Sequence, residues 1–223
     1  MDLLLYALLF WIFAVLSTTI KSITEESTLW RTIIKIIPAI LAAIFVFLNR
    51  PSIELFYLLL IVALVFCAMG DAGMEINILL GLGLFLFAHI FYSVDFILHG
   101  IGHGLNILAL ISLIFTLGLM MMYIFFYHRY LTKSKDPAPP EMLKAVNVYA
   151  FVISLTLASS FFLWVSSNLY LGFVPFLGAI SFVISDSLIG IREFHHKFRF
   201  AEPIILTSYY LAIFLLSMAV LIY

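Results

Sequence analysis

Apolar residues fill this chain in eight long stretches separated by short polar interruptions. The stretches run approximately Leu3–Ile20, Thr32–Leu48, Leu55–Gly70, Ile76–Leu98, Leu105–Tyr127, Leu143–Trp164, Leu169–Ile191 and Pro203–Tyr223. A bilayer core about 30 Å thick takes roughly 20 apolar residues of helix, with about 17 as a floor. The pattern therefore predicts an all-α membrane protein with eight transmembrane helices in one bundle. The second and third stretches are the shortest, and each carries a charged residue, Lys35 or Asp71, at the same membrane side. The longest interruption, Arg129–Glu141, contains Asp136-Pro137-Ala138-Pro139-Pro140, which cannot continue a helix. One transmembrane domain over residues 1–223 is expected, with possible four-helix halves 1–128 and 142–223 joined by the Pro-rich loop 129–141.

Charge orients this bundle. Lys21, Arg31, Arg129, Lys133, Lys135, Lys144, Arg192, Lys197 and Arg199 all fall on the side opposite the termini, whereas Arg50 falls on the termini side. Basic residues accumulate on the cytoplasmic face, so both termini are expected on the non-cytoplasmic side and the 129–141 loop in the cytoplasm. The first stretch lacks a basic n-region and an Ala-x-Ala site, and reads as a retained helix rather than a cleaved signal peptide.

Composition agrees with the pattern. Of the 223 residues, 65% are hydrophobic and 10% charged, against about 25% charged in soluble domains, and the mean hydropathy is +1.21. The near-zero net charge and the lack of a basic run give no sign of nucleic-acid binding. Cys67 is the single cysteine, so no intramolecular disulfide is possible.

Within the apolar stretches the polar residues stand out. Asp71 and Asp186 sit where a carboxylate costs roughly 2.5–3.5 kcal/mol at a helix centre, and such residues face the protein interior and carry function by default. Asp71 is expected to close helix 3. Asp186 is expected about five residues, or roughly 7–8 Å, from the cytoplasmic end of helix 7. His89 and Tyr92, three apart, share a face of helix 4. Lys35 stands one turn inside helix 2, and Tyr209 and Tyr210 about two turns into helix 8. Together these residues aim titratable groups at the cytoplasmic half of the bundle.

Other polar features read as structural. His99-Gly100-Ile101-Gly102-His103 has metal-ligand spacing, but its glycines predict a loop. His195-His196 lies among Arg192, Lys197 and Arg199, a set suited to anionic head groups. Asp95 is expected to be solvated at the outer end of helix 4, and Glu75 puts Asp71 beside the head-group level. Gly81-x-Gly83 is helix packing, and Met120–Met122 faces lipid or core. No Gly-x-Ser-x-Gly elbow supports a serine esterase.

Five ordered pieces resemble the YhhN-like lysoplasmalogenases: Lys35-Ile36-Ile37-Pro38, Met69-Gly70-Asp71, the stretch Phe85 to Tyr92 with His89, the stretch Gly178 to Asp186, and Thr207-Ser208-Tyr209-Tyr210. The resemblance implies a multi-pass membrane hydrolase that cleaves the vinyl-ether bond of lysoplasmalogens into a fatty aldehyde and a glycerophosphoalcohol, glycerophosphocholine or glycerophosphoethanolamine. Where that family often has a Gln after the helix 8 tyrosines, this chain has Ile213.

The residues fit such chemistry. Vinyl-ether hydrolysis needs an acid able to protonate carbon, an anion facing an oxocarbenium ion, and a base to activate water. Two carboxylates in different environments divide such roles in glycosidases. Asp71, Asp186 and His89 are thus the expected catalytic residues, and Lys35, Tyr92, Ser185, Tyr209 and Tyr210 the expected substrate-binding residues. Which aspartate is the acid stays open, with depth favouring Asp186. No metal or cofactor is expected; the expected partners are a lysophospholipid and the bilayer, in a bacterial cell membrane or, in a eukaryote, the endoplasmic reticulum. The alternative is a proton-coupled transporter or receptor, which would also bury Asp and His in a bundle and could use Pro38 and Pro175 as helix breaks.

Overall fold

The computed structural model describes residues 1–23, 28–134 and 139–223. Among these, every regular element is helical, as hydrocarbon requires of a backbone that must satisfy its own hydrogen bonds. Eight helices are long and apolar enough to cross a membrane. They are α1 (Leu3–Ile23), α2 (Leu29–Asn49), α3 (Leu55–Ile76), α4 (Ile78–Gly102), α5 (Ile107–Leu131), α6 (Pro140–Ser167), α7 (Phe173–Phe194) and α8 (Ala201–Ser217). A 3-10 turn, Tyr170–Gly172, leads into α7, and a last turn, α9 (Ala219–Ile222), extends α8.

Local chemistry marks the ends. The Asn77 side chain accepts from the Leu79 amide at 2.8 Å and starts α4; Asn106 does the same for the Ala109 amide at 2.7 Å and starts α5. Pro140 occupies the first turn of α6, where its missing N–H costs nothing. Asn168 closes α6 in the left-handed region, with φ 52°.

The helices pack in a circuit. Helix α1 lies on α2 and α8, α2 on α3, α3 on α4, α4 on α6, α6 on α7, and α7 on α8, which returns to α1 and α2. Helix α5 stands outside the circuit against α6. Its buried residues, Ala109, Ser112, Thr116, Met120, Ile124, Tyr127 and Leu131, form one stripe at helical spacing. Helices α1, α3, α5 and α7 finish at the end that carries Lys21, Arg129, Lys133, Arg192 and Lys197; this is the basic end.

Several expected boundaries move. Helix α3 continues five residues past Asp71 to Ile76, so Asp71 does not close it. Helix α4 continues through Gly100 to Gly102, because glycine remains compatible with a helix whose backbone bonds are closed internally, and His99 is therefore helical rather than in a loop. Asp95 then lies about two turns inside α4 and is 1% exposed, not solvated. Of the expected 129–141 loop, residues 129–131 belong to α5 and 140–141 to α6, while 135–138, with Lys135, Asp136 and Pro137, lie outside the described residues.

Candidate active site

A cavity of about 570 Å³ opens at the basic end between α2, α3, α7 and α8. Asp71 from α3 and Asp186 from α7 both line it, with Lys35, Ser185 and Tyr209. Its rim carries Lys21, Arg192 and Lys197. Phe85 and Tyr209 form part of the wall, meeting edge-on with centroids 5.7 Å apart, and Phe182 packs edge-on against both. Gly70 makes that wall possible: a Cβ there would lie 2.9 Å from the Phe85 ring.

Each aspartate receives a phenol. The Tyr209 hydroxyl donates to Asp71 Oδ2 at 2.7 Å across α8 and α3. The Tyr149 hydroxyl of α6 donates to Asp186 Oδ2. Tyr149, a site neighbour that sequence reasoning missed, sits 37 positions from its partner, and only the α6–α7 contact brings them together.

The surroundings of the two carboxylates differ. Lys35 Nζ bonds the Asp71 backbone carbonyl at 3.3 Å, but its charge is paired with Glu75 at 2.8 Å. Glu75, one turn beyond Asp71, also pairs with Lys21 at 2.8 Å. With a side chain 9% exposed, Glu75 is an enclosed, shared counter-ion rather than a head-group residue. Pro38 lies inside α2, three residues beyond Lys35. A proline within α2 removes an amide donor and disturbs the preceding carbonyls, and the Tyr210 hydroxyl lies 3.3 Å from the Lys35 carbonyl.

Behind Asp186 stands His89. It is fully buried, its Nδ1 lies 3.2 Å from Thr156 Oγ1, and its Nε2 lies 4.0 Å from Asp186 Oδ2. That nitrogen has no hydrogen-bond partner among the described residues. His89 thus backs the carboxylate without lining the cavity. Two tyrosines are turned elsewhere. Tyr92 is buried with its hydroxyl 4.0 Å from Cys67 Sγ, and Tyr210 reaches Ser17 Oγ at 2.8 Å. The Ser185 hydroxyl is spent on the Ile205 carbonyl at 3.1 Å, which ties α7 to α8.

Asp186 also lines a second, narrower opening between α4, α5, α6 and α7, of about 40 Å³. Its other lining residues include Leu82, Met120, Ala150, Ile153 and Val183. Asp186 and Ile189 are common to both openings. No cluster of His, Cys, Asp and Glu able to hold a metal occurs among the described residues.

The fold defines a multi-pass, all-helical membrane protein with ionisable residues gathered at one end. The chain belongs to the YhhN family, the family of lysoplasmalogenases, whose sequence profile matches residues 30–220. That range includes both aspartates, both of their phenol donors, Lys35 and Glu75, and leaves out Lys21. No curated protein and no solved structure matches the chain.

Proposed function

We propose that this protein hydrolyses the vinyl-ether bond of lysoplasmalogens, with Asp71 and Asp186 as its acid–base pair. The observation that carries the reading is the pair itself: two carboxylates from different helices border one cavity, each bonded to a phenol. Asp186 is the acid. It stands where the polar cavity meets an apolar opening, the place for an alkenyl carbon. Its depth is a weaker reason, because Asp71 is the more enclosed of the two.

In this mechanism Asp186 delivers a proton from its free oxygen to the alkenyl carbon distal to the ether oxygen. Tyr149 holds the other oxygen. The double bond's electrons form the new C–H bond, and the adjacent carbon becomes an oxocarbenium ion facing the Asp71 carboxylate. Asp71, held by Tyr209, takes a proton from water as the water oxygen bonds to that carbon. The hemiacetal then collapses. The carbon–oxygen bond to the glycerol side breaks, the alcohol oxygen takes the proton held on Asp71, the hemiacetal hydroxyl gives its proton back to Asp186, and the aldehyde leaves with both carboxyls restored. Lys35 and Lys21 attract the phosphodiester. Cofactors take no part, and the groove in a low-dielectric bundle strengthens each charge interaction.

The basic end faces the cytoplasm in this reading, with both termini outside, as its Lys and Arg residues imply. The transporter alternative has one feature in its favour: Asp95, buried far from the cavity, with an oxygen that has no partner among the described residues. The test is aldehyde release by the purified protein in detergent. A 1-alkenyl lysophospholipid should give aldehyde, and its 1-acyl counterpart none. In deuterated water the product should carry one deuterium on the carbon next to the carbonyl when it is analysed before enol exchange. Unlabelled aldehyde would refute carbon protonation.

A further inference from the structure

The narrow opening beside Asp186 has a built latch. Helix α5 meets α7 through two phenols: Tyr123 donates to Ser187 Oγ at 2.6 Å and Tyr127 to the Ser187 carbonyl at 2.9 Å. Ser187 is the residue next to Asp186. Gly190, one turn further along α7, makes room for the latch, since a Cβ there would lie 2.1 Å from the Tyr127 hydroxyl. Behind the latch the walls are apolar, and the inner end is stopped by a buried cluster of Met120, Leu157 and Ala179.

Size shows that this opening is closed. A single water needs about 10–15 Å³ of such space, so 40 Å³ admits about three water-sized groups and no alkyl chain. One wall can yield. Helix α5 is outside the helix circuit, holds α6 by one buried stripe and touches α7 only sparsely. Among the described residues, the two phenol hydrogen bonds are the only ones that join it to α7. The wide cavity on the other side of Asp186 has the opposite, polar character, with Lys21, Lys35, Arg192 and Lys197 set among Asp71, Glu75, Glu193 and Glu202.

We infer that α5 is a lateral gate: the single hydrocarbon chain of a lysolipid enters from the bilayer between α5 and α7, displaces the Tyr123 and Tyr127 bonds to Ser187, and lies between α5, α6 and α7. Its glycerophospho group stays in the wide polar cavity, near Lys21 and Lys35. An amphiphile bridging the two spaces has its polar–apolar junction at Asp186. Met120 and Leu157 at the inner end set the chain length accepted. This rests on the reading of Asp186 as the residue that meets the reacting bond, but chain binding does not require turnover.

The first experiment therefore uses a non-hydrolysable probe, a 1-O-alkyl lysophosphoethanolamine with a diazirine at mid-chain, photolysed with the wild-type protein in nanodiscs. Labelling of α5 and α6 residues around Met120, Ala150 and Ile153 is expected. Labelling confined to the exposed groove of α1 around Leu8 and Trp11, or to the wide polar cavity, overturns the gate. The second experiment compares hexadecenyl and hexenyl lysoplasmalogens. Ala150→Phe, which fills the opening, should cost the long substrate about tenfold or more, the weight of a refused methylene or two, and spare the short one. Met120→Ala should shift the preference towards longer chains, and it covers the case in which the bulky variant does not fold. Equal losses on both substrates, with no shift in Met120→Ala, overturn the gate. A wild-type protein that labels as expected but releases no aldehyde would sink the proposed reaction and leave the gate standing.

Discussion

The two walls of the cavity carry the same unit, a carboxylate bonded to a tyrosine, in opposite surroundings. On the α3–α8 wall, Asp71 and Tyr209 adjoin Lys35, Lys21 and Glu75. On the α6–α7 wall, Asp186 and Tyr149 adjoin a buried imidazole and an apolar opening. In the proposed mechanism this difference is what makes a pair of like groups an acid and a base, through what stands behind each rather than through residue type.

The largest effects come from breaking the pair. Asp186→Asn and Asp71→Asn should each lower aldehyde release by about 10²–10⁴-fold, with elution from size-exclusion chromatography unchanged. The walls predict different rescues. Formate, a small diffusible base that is ionised at neutral pH, should restore part of the turnover of Asp71→Asn and none of that of Asp186→Asn. The reverse pattern would exchange the two roles, and activity close to wild type in both variants would return weight to the transporter.

Next come the phenols. A hydrogen bond to a charged group contributes about 1.5–3 kcal/mol, so Tyr149→Phe should cost roughly 10- to 100-fold in kcat/KM. Tyr209→Phe should cost less, since Asp71 also has the Lys35 ammonium close by. Equal losses would mean that the two walls are equivalent. Smaller again is Lys35→Gln, which leaves Glu75 paired with Lys21. KM should rise by up to about tenfold and kcat should change less, because in the proposed mechanism the ammonium serves chiefly the phosphate.

The smallest effect on turnover belongs to Asp95→Leu, far from both walls. Removing a buried carboxyl oxygen that has no partner among the described residues should leave aldehyde release within about twofold and raise thermal stability, by about 1–3 kcal/mol of relieved desolvation. Loss of aldehyde release there would place Asp95 on a proton path to the site.

The eight spans were legible because hydropathy alone selects them. Helix ends were less so. Hydropathy falls at Gly70 and Leu98, yet α3 and α4 continue, since a helix in lipid extends until its backbone can find other partners. Asp95 was misplaced for that reason. Asp71, Asp186, Lys35 and Tyr209 were readable as polar residues in apolar stretches. Tyr149 was not, since a tyrosine in a membrane helix resembles any interfacial aromatic and its role depends on which face of α6 meets α7. His89, Tyr92 and Tyr210 were chosen for depth, but helix rotation, which depth does not encode, takes them off the cavity.

Glu75 has an arithmetic consequence. Two ammonium groups sharing one carboxylate leave a balance of one positive charge beside Asp71. An ionised Asp71 cancels that balance, so the two lysines, Glu75 and Asp71 together sum to zero in a medium that penalises any remainder. The carboxylate that seems to blunt the lysines therefore trims the local charge to the amount that lets Asp71 stay ionised, as the proposed base must be.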